Sequence, residues 1–562
     1  MTTENTKYGN GALANNSTTN GQNSAFGVNA LNSSTAKWNT AVGAYSAAST
    51  TSGISNTSLG VNSLLSNVTG SYNTALGTAS CLNTTGDNNT AVGSNTMQYT
   101  TNGFSNTALG TFSLFNNTTG SENTAVGYRA LFSNVDGSNN VAIGDSALLN
   151  NTTGYYNLAI GSNSLSSNTT GRNNIGVGLN SLTYNVSGTQ NIAIGVNAMI
   201  GVSGGGSTGS ENVTVGFQAF QNYTTADRCV AIGTYALNAC TTGRENTAVG
   251  YRALEFNLDG SNNVAIGFTS LQNNTTGYEN VAIGSSSLIN NTTGFHNQAV
   301  GFQAMQYNTS GNRNTGIGVN SMLYNETGVD NTAIGTASLR HSEAGSYNVA
   351  VGTSALRGGD PQPAIAPTGN DNTAVGVEAL YNYTTGSRNV AVGRTALYSC
   401  TTGNNNTVVG YLAGNILISG TNVTCLGYGA ETSTATTSNE IILGNSSIVN
   451  VRSAGNYTTL SDARDKKDIL ELEAGLDFVQ KLKPVSFTWN MRDGGKIDIP
   501  DTGFIAQDLK QVQIDTGISI PYLVYEANPE RIEACYSKLL PVLVKAIQEL
   551  KKEVDDLKAQ MN

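Results

Sequence analysis

Short apolar strings return at a nearly fixed interval through residues 1–460. Counted from the asparagine that opens each copy, the motif starts at Asn5, Asn23 and Asn39, and the step then settles at 17 residues. We count 26 copies, the last starting at Asn439, and Cys229 replaces the asparagine in one of them. A short fixed period is typical of a solenoid, in which each copy forms one coil of a stack. The pattern therefore predicts a mainly β fold with a solenoid or β-roll shaft.

Each position within the copy predicts a structural role. The third residue after the asparagine is nearly always Val, Ile or Leu, as at Ile143, and the eighth is usually Leu or Met, as at Leu148. Both are predicted to form the core. The fourth residue is Gly in 24 copies, which predicts a corner with positive φ or close backbone approach. Positions 2 and 7 are mostly Ala or Ser, so two tracks of small side chains are expected to let chains approach closely. An Ala-Leu element, either a second strand or one helical turn, and a polar return loop complete the copy.

One copy is too small to bury a hydrophobic face alone, so neighbouring copies and neighbouring chains are expected to supply the rest of the core. The recurring strings NTAVG, at 123–127, and NVAIG, at 140–144, resemble the head repeats of trimeric autotransporter adhesins. That resemblance implies a trimeric β-roll, although the usual period in that family is shorter.

Two inserts interrupt the period. One lies near 196–211 and contains Gly204, Gly205 and Gly206; the other lies near 353–371 and contains Pro361, Pro363 and Pro367. Proline lacks the N–H that a regular ladder needs, and both inserts are therefore predicted to be loops that project from the shaft. Binding residues are often placed on such loops, and a tolerated insertion without a role is the alternative.

The composition changes at residue 461. Half of the 27 basic and 37 acidic side chains of the chain lie in residues 461–562. This shift predicts a boundary between a repeat shaft, 1–460, and a second domain, 461–562. A closing helix is predicted over 533–562. Its apolar residues alternate spacings of three and four, as in a coiled-coil seam. They are Leu540, Leu543, Ile547, Leu550, Val554, Leu557 and Met561.

The start of the second domain carries a recognisable signature. Residues 461–469 read SDARDKKDI, which fits the pattern Ser-Asp-x-Arg-x-Lys-x-Asp-Ile. This segment resembles the opening of the intramolecular chaperone domain at the C-terminus of phage endosialidases, tail fibres and spikes. The likeness continues through Pro484, Phe487, Trp489, 503–508 and the closing helix.

The resemblance implies a small α+β domain that trimerises, assists the folding of the fibre and cuts the Leu460–Ser461 bond. It makes Ser461 the nucleophile and Lys466, rather than the adjacent Lys467, the base. A serine hydroxyl needs a neighbouring base, and a lysine serves only where its surroundings favour the neutral amine. A spacing of five residues brings the two together only if the chain turns. The alternative is that Ser461 is a helix N-cap, with Asp462 and Asp465 near the positive end of the dipole.

Several classes of function are disfavoured by composition. The formal net charge is −10 with no basic stripe, which argues against nucleic-acid binding. No stretch of 18 apolar residues and no N-terminal apolar run occur, so neither membrane insertion nor a signal peptide is expected. The six cysteines show no paired framework. His296 and His341 are expected in return loops, without acidic or cysteine residues at a spacing suited to metal binding. No metal and no cofactor are therefore expected.

Carboxylates and aromatic rings each recur at one position of the repeat and are expected to form two further tracks along the shaft. Glu122, Glu211, Glu245 and Glu279 each precede a repeat asparagine and are expected along one solvated edge. A depolymerase would need two such carboxylates in a cleft. Aromatic residues that follow the corner glycine could stack on sugars or shield the seam between chains. They include Tyr128, Phe217, Tyr251 and Phe302.

Taken with the resemblance, these features predict a homotrimeric phage tail fibre or spike that attaches to a host. Its expected partners are a cell-surface receptor, most simply a glycan, and other tail or baseplate proteins. It would be made in the host cytoplasm, carried on the virion and act outside the cell after release. The alternatives are a polysaccharide depolymerase and a fibre or adhesin of a phage-like injection system.

Overall fold

The computed structural model describes residues 5–15, 21–359, 366–454, 459, 461–526 and 528–561. The chain divides into two compact units, Met1–Tyr347 and Asn348–Asn562. The first unit consists of solenoid coils. The second contains the last coils and the whole of residues 461–562.

Every coil contributes one strand of three residues, and each strand pairs in parallel with the next within its unit. Twenty strands, β1–β20, belong to the first unit: Thr6–Tyr8, Ser24–Phe26, Thr40–Val42, Thr57–Leu59, Thr74–Leu76, Thr90–Val92, Thr107–Leu109, Thr124–Val126, Val141–Ile143, Leu158–Ile160, Ile175–Val177, Ile192–Ile194, Val213–Val215, Val230–Ile232, Thr247–Val249, Val264–Ile266, Val281–Ile283, Gln298–Val300, Thr315–Ile317 and Thr332–Ile334. Six more, β21–β26, belong to the second: Val349–Val351, Thr373–Val375, Val390–Val392, Thr407–Val409, Thr424–Leu426 and Ile441–Leu443. The predicted β-solenoid is confirmed. Because Thr424 pairs with Ile441, the last coil starts at Glu440, one residue after the predicted Asn439.

Asparagine side chains join each coil to the next. The Oδ1 of Asn123 accepts from the backbone N–H of Asn140 at 3.0 Å, while the Nδ2 of Asn123 donates to the Gly137 carbonyl at 2.9 Å. A second row runs at position 11, where the Nδ2 of Asn134 donates to the Oδ1 of Asn117 at 2.8 Å. Both rows are buried, so the amides supply the hydrogen bonds that the interior of the coil requires.

The core of each coil differs in one respect from the prediction. Leu148 at position 8 is fully buried, as predicted, but Ile143 at position 3 is 39% exposed. The buried residue of that strand is Ala142 at position 2. Side chains alternate between the two faces of a strand, so the inward Ala at position 2 forces its Val, Ile or Leu neighbour outward. The assignment of position 3 to the core was therefore wrong for the single chain.

The corner and the turn that follows are built from left-handed residues. Gly127 has φ of +132°, and a side chain there would begin 2.4 Å from the Gly144 carbonyl oxygen, which confirms both reasons for the corner glycine. Arg129 and Leu131 in the turn also have positive φ, at 56° and 53°, as does Asn139 at the end of the coil, at 59°. The Ala-Leu element is thus a tight turn and neither of the two alternatives considered, a strand or a helical turn.

Both inserts leave the strand register unchanged. Ile192 pairs with Val213 across the first insert, and Val349 pairs with Thr373 across the second. The extra residues of the first insert leave the coil as a loop. In the second, Pro361 and Pro363 lie outside the described residues, and Pro367 is buried.

Residues 461–562 form a small α+β region. After a 3-10 turn, Ala463–Asp465, come α1 (Leu476–Gln480), β27 (Val485–Asn490), β28 (Ile497–Gly503), α2 (Ala506–Thr516), β29 (Val524–Tyr525), β30 (Glu533–Ala534), a second 3-10 turn, Tyr536–Lys538, and α3 (Leu539–Met561). The strands form two antiparallel pairs, β27 with β28 and β29 with β30. A single core joins the helices to the loop after α2. Its buried members are Ala474, Phe478, Leu509, Val512, Ile520, Leu523, Leu539 and Val542.

The closing helix begins at Leu539 rather than at residue 533. Glu533 and Ala534 instead pair with Val524 and Tyr525. Pro541 lies in the first turn of the helix, where its missing N–H has no intrahelical partner to lose. No helix in the described part of the chain is long and apolar enough to cross a membrane.

Candidate functional site

The chain turns directly after Ser461. Asp462 is the N-cap of the 3-10 turn Ala463–Asp465, and its side chain accepts from the backbone N–H of Arg464 at 2.9 Å. The guanidinium of Arg464 also bonds to this carboxylate, at 2.5 Å. These contacts, the side chain of Arg464 first, hold the pKa of Asp462 below its usual range. The cap is therefore Asp462 and not Ser461, which leaves the serine hydroxyl available.

This turn brings the two predicted catalytic side chains together. The Nζ of Lys466 lies 2.7 Å from the Oγ of Ser461 and 3.3 Å from the Ser461 carbonyl oxygen. Lys467 makes no hydrogen bond to Ser461 among the described residues. Ser461 and Lys466 are both exposed. Leu460, the other half of the predicted scissile bond, lies outside the described residues, so the roles of the pair stay a prediction.

The closing helix has two apolar faces. Leu539, Val542 and Ala546 are buried against the domain core. The residues of the predicted seam are all exposed, from 37% at Val554 to 83% at Met561. Sequence reasoning found the seam but missed the inner face, whose spacing of three and four was available as a signal. The seam is an apolar surface that the single chain leaves uncovered.

A second uncovered apolar surface runs along the strands of the shaft. The outward residue at position 3 is 39% exposed at Ile266, 38% at Ile283 and 39% at Ile317. We call this row of position-3 side chains the strand stripe. Single exposed aliphatic residues are ordinary on protein surfaces, whereas a row of them along stacked coils forms an extended apolar surface that the single chain leaves uncovered.

The four glutamates of the carboxylate track are exposed and occupy the same position of the coil, and two of them are paired with basic side chains. The Oε1 of Glu245 lies 2.8 Å from the Nη1 of Arg228, and the Oε2 of Glu279 lies 2.7 Å from the Nε2 of His296. His296 was expected to have no acidic companion, and that expectation was wrong because stacking brings residues 17 apart side by side. His341 is buried on the Ala-Leu turn, not in a return loop, with its ring 5.5 Å from that of Tyr324.

The aromatic rings after the corner are exposed in the single chain, which leaves both predicted roles open. Phe217 is 43% exposed, Tyr251 40% and Phe302 49%, and Tyr251 stacks on Phe268 with ring centroids 5.3 Å apart.

The described residues contain no group of three His, Cys, Asp or Glu that could hold a metal ion. The six cysteines are free thiols, five of them buried, and burial raises the pKa of Cys81 to about 12.

Comparison with known proteins identifies the C-terminal region only. No curated protein and no solved structure matches the chain. Residues 461–518 match the family model described as the chaperone of endosialidase. That match begins at Ser461, the first residue of the Ser461–Lys466 pair, so the segment that carries the candidate site is similar to the endosialidase chaperone family.

Proposed function

We propose that this protein is a homotrimeric tail fibre or spike of a bacteriophage that attaches the particle to a host cell. The observation that carries the proposal is the endosialidase-chaperone match, which begins at Ser461, after 26 coils of solenoid. An elongated shaft followed by a folding domain is the arrangement that a fibre requires. The fibre would be made in the host cytoplasm, mounted on the virion through other tail or baseplate proteins, and act outside the cell.

Two uncovered apolar surfaces support the trimer. The strand stripe and the seam of α3 are both exposed in the single chain, and full burial of one large aliphatic side chain contributes about 1.5 to 3 kcal/mol. Repeated over many coils, this term is large enough to hold chains together. The strand stripe would then be the core that the sequence predicted for position 3, formed between chains instead of within one.

The Ser461–Lys466 pair supports a single self-cleavage. In this step the hydroxyl proton of Ser461 passes to the neutral amine of Lys466 as Oγ bonds to the carbonyl carbon of Leu460. The Leu460–Ser461 C–N bond breaks, and the nitrogen takes up the proton. Water then hydrolyses the ester, which leaves a carboxylate on Leu460 and restores the Ser461 hydroxyl. Because both side chains are exposed in the single chain, we place the shielding that favours a neutral lysine in the assembled trimer.

The depolymerase alternative has less support. Glu245 and Glu279 are the carboxylates it would use, and each is exposed and paired with a basic side chain. A glycosidase needs two carboxylates that face each other across a cleft, whereas these two are exposed and each lies against a basic side chain. A fibre of a phage-like injection system would share the same fold, and neighbouring genes for a capsid or a contractile sheath separate the two origins.

Adsorption tests the attachment function. Purified full-length protein, added to host cells before the phage, should occupy the receptor and lower the adsorption rate at least tenfold. A fibre that leaves adsorption unchanged and does not itself bind the cells contradicts the proposal. In parallel, host capsule incubated with the fibre should release no reducing ends. Release that stops in Glu245→Gln or Glu279→Gln would establish the enzyme instead.

A further inference from the structure

The first insert is a loop with a fixed base and a free tip. Ser207 at its base is buried; its N–H donates to the Tyr184 carbonyl at 2.9 Å and its Oγ donates to the Tyr223 carbonyl at 2.8 Å. At the tip, no atom lies within 4 Å of the point where a side chain would begin on Gly204 or Gly205. The loop is thus anchored to the coils on both sides while its tip projects into solvent.

The loop forms one wall of a groove on the turn face of the coils. The groove has a volume of 610 Å³, within the range of about 300 to 1,000 Å³ that is common for ligand sites. Its polar lining includes Asn163, Asn180, Tyr184, Ser203, Gln221 and Asn222, and none of its lining residues is charged. We call it the insert groove.

The insert groove offers both used and unused hydrogen-bonding groups. A row of amides crosses it, in which the Nδ2 of Asn163 donates to the Oδ1 of Asn180 at 3.3 Å and Asn180 donates in turn to Asn197 at 3.1 Å. The side chains of Tyr184, Ser203 and Asn222 have no hydrogen-bond partner among the described residues. A ligand that fills the groove therefore meets donors and acceptors that are free to bind it.

We propose that the insert groove binds a neutral oligosaccharide. This inference rests on the proposed attachment function and names the site and ligand class for it. Amides and hydroxyls without charge match the hydroxyl groups of a neutral sugar, and the Tyr184 ring offers an apolar face for its C–H side. An acidic sugar would enter a groove without a cation to compensate its carboxylate, which makes it the poorer ligand.

Assembly through the strand stripe leaves this groove open. The stripe consists of position 3 in each coil, whereas Asn163 and Asn180 occupy position 6, Gln221 position 9, and Tyr184 and Asn222 position 10. The corner glycine at position 4 separates the two faces. Each chain of a trimer would therefore present its own copy of the insert groove, and three weak sites on one fibre would act together.

The test uses purified full-length protein on an array of immobilised neutral and carboxylate-bearing oligosaccharides. The groove variant is Tyr184→Phe with Asn222→Ala, which removes two free polar groups without touching the buried core. A matched control is Tyr324→Phe with Asn150→Ala, both at position 10 in coils without an insert. A third variant deletes Gly204 and Gly205 and keeps the Ser207 anchor.

We expect binding to neutral oligosaccharides in the wild type, at least a tenfold loss of affinity in the groove variant, a smaller loss in the deletion, and a change under twofold in the control. All four proteins should melt at the same temperature. The proposal is overturned if the wild type binds no neutral sugar, if it binds only the carboxylate-bearing ones, or if the groove variant binds as well as the wild type. If the fibre adsorbs to host cells and the groove variant adsorbs equally, the groove assignment fails while the attachment function stands. A wild-type fibre that does not adsorb contradicts the attachment function itself.

Discussion

The shaft and residues 461–562 build their cores in contrasting ways. In the shaft, Leu131 and Leu148 are both fully buried and make equivalent backbone bonds, to Ala147 and Ser164, each at 3.0 Å. One coil could replace another with little change in its surroundings. In residues 461–562, Phe478, Leu509 and Leu523 meet in one cluster that has no second copy. A repeated core stabilises the coils but permits several alignments of neighbouring chains. A non-repeating core permits only one arrangement.

This difference explains why a solenoid of near-identical coils would need a folding domain. Chains that slip by one coil would still pair most strands and bury most leucines, so the energy gap between the correct and the slipped register is small. A non-repeating domain that trimerises first would set the chains in phase.

The largest effect is expected from removal of residues 461–562. A chain that ends at Leu460 should fail to form soluble trimers, because nothing then selects one register among many. Size-exclusion chromatography with light scattering, on this truncation and on the full-length protein, measures the outcome. Soluble, thermostable trimers from the truncation would remove the need for a folding domain.

A charge in the seam of α3 should act almost as strongly. In Ile547→Lys, three ammonium groups would be brought together in the proposed trimer seam, and burial of an unpaired charge costs several kcal/mol. We expect monomers or aggregates in place of trimers by light scattering. The control is Ala559→Lys, which adds the same charge at an exposed position outside the seam. If both variants remain trimeric, the seam is not an interface.

A charge in the strand stripe should have a smaller effect because one coil among many is disturbed. Ile266→Asp should destabilise the trimer by about 1.5 to 3 kcal/mol per chain, the value of one buried aliphatic side chain. The matched control is Leu258→Asp, at a return-loop position that is 47% exposed, compared with 39% for Ile266. Thermal denaturation should show a lower melting temperature for Ile266→Asp only. Equal shifts in both variants would place the chain contacts elsewhere.

Thiol labelling should show the smallest change, since it leaves the protein intact. Cys535 is exposed, while the five cysteines of the shaft are buried and burial raises the pKa of Cys240 to about 12. A buried thiol that holds its proton reacts slowly with disulfide reagents. With a chromogenic disulfide reagent, about one thiol per chain should therefore react in the native protein, and all six should react in the denatured protein. Rapid native labelling of several thiols would mean that the coils open readily.

Much of the shaft could be predicted because its signals are local and repeated. The period, the corner at Gly127 and the buried Leu148 all follow from residue type and spacing. The position-3 residues could not be placed from hydrophobicity alone, because an apolar side chain such as Ile143 looks the same whether its own coil or another chain covers it. The inward Ala142 was the available signal, since strand alternation admits only one of the two neighbours.

The candidate site shows a different limit. The Ser461–Lys466 pairing followed from a resemblance, and the turn that brings Lys466 back to Ser461 could be read from Asp462, a residue type that commonly caps helical turns. The pair formed by Glu279 and His296 was missed, although both occupy position 16 in successive coils. Residues one period apart are neighbours in a solenoid, and this rule would have found it.

Mass spectrometry of the purified protein, with and without Ser461→Ala, tests the central claim that residues 461–562 assist assembly and then release themselves. The account predicts a wild-type shaft that ends at Leu460, a separate fragment that begins at Ser461, and an intact full-length chain in Ser461→Ala. That variant should still form trimers by light scattering, because assembly depends on the surface of the domain and cleavage on one hydroxyl. A Ser461→Ala chain that is still cut at this bond, or a trimeric wild type that is never cut there, would contradict it.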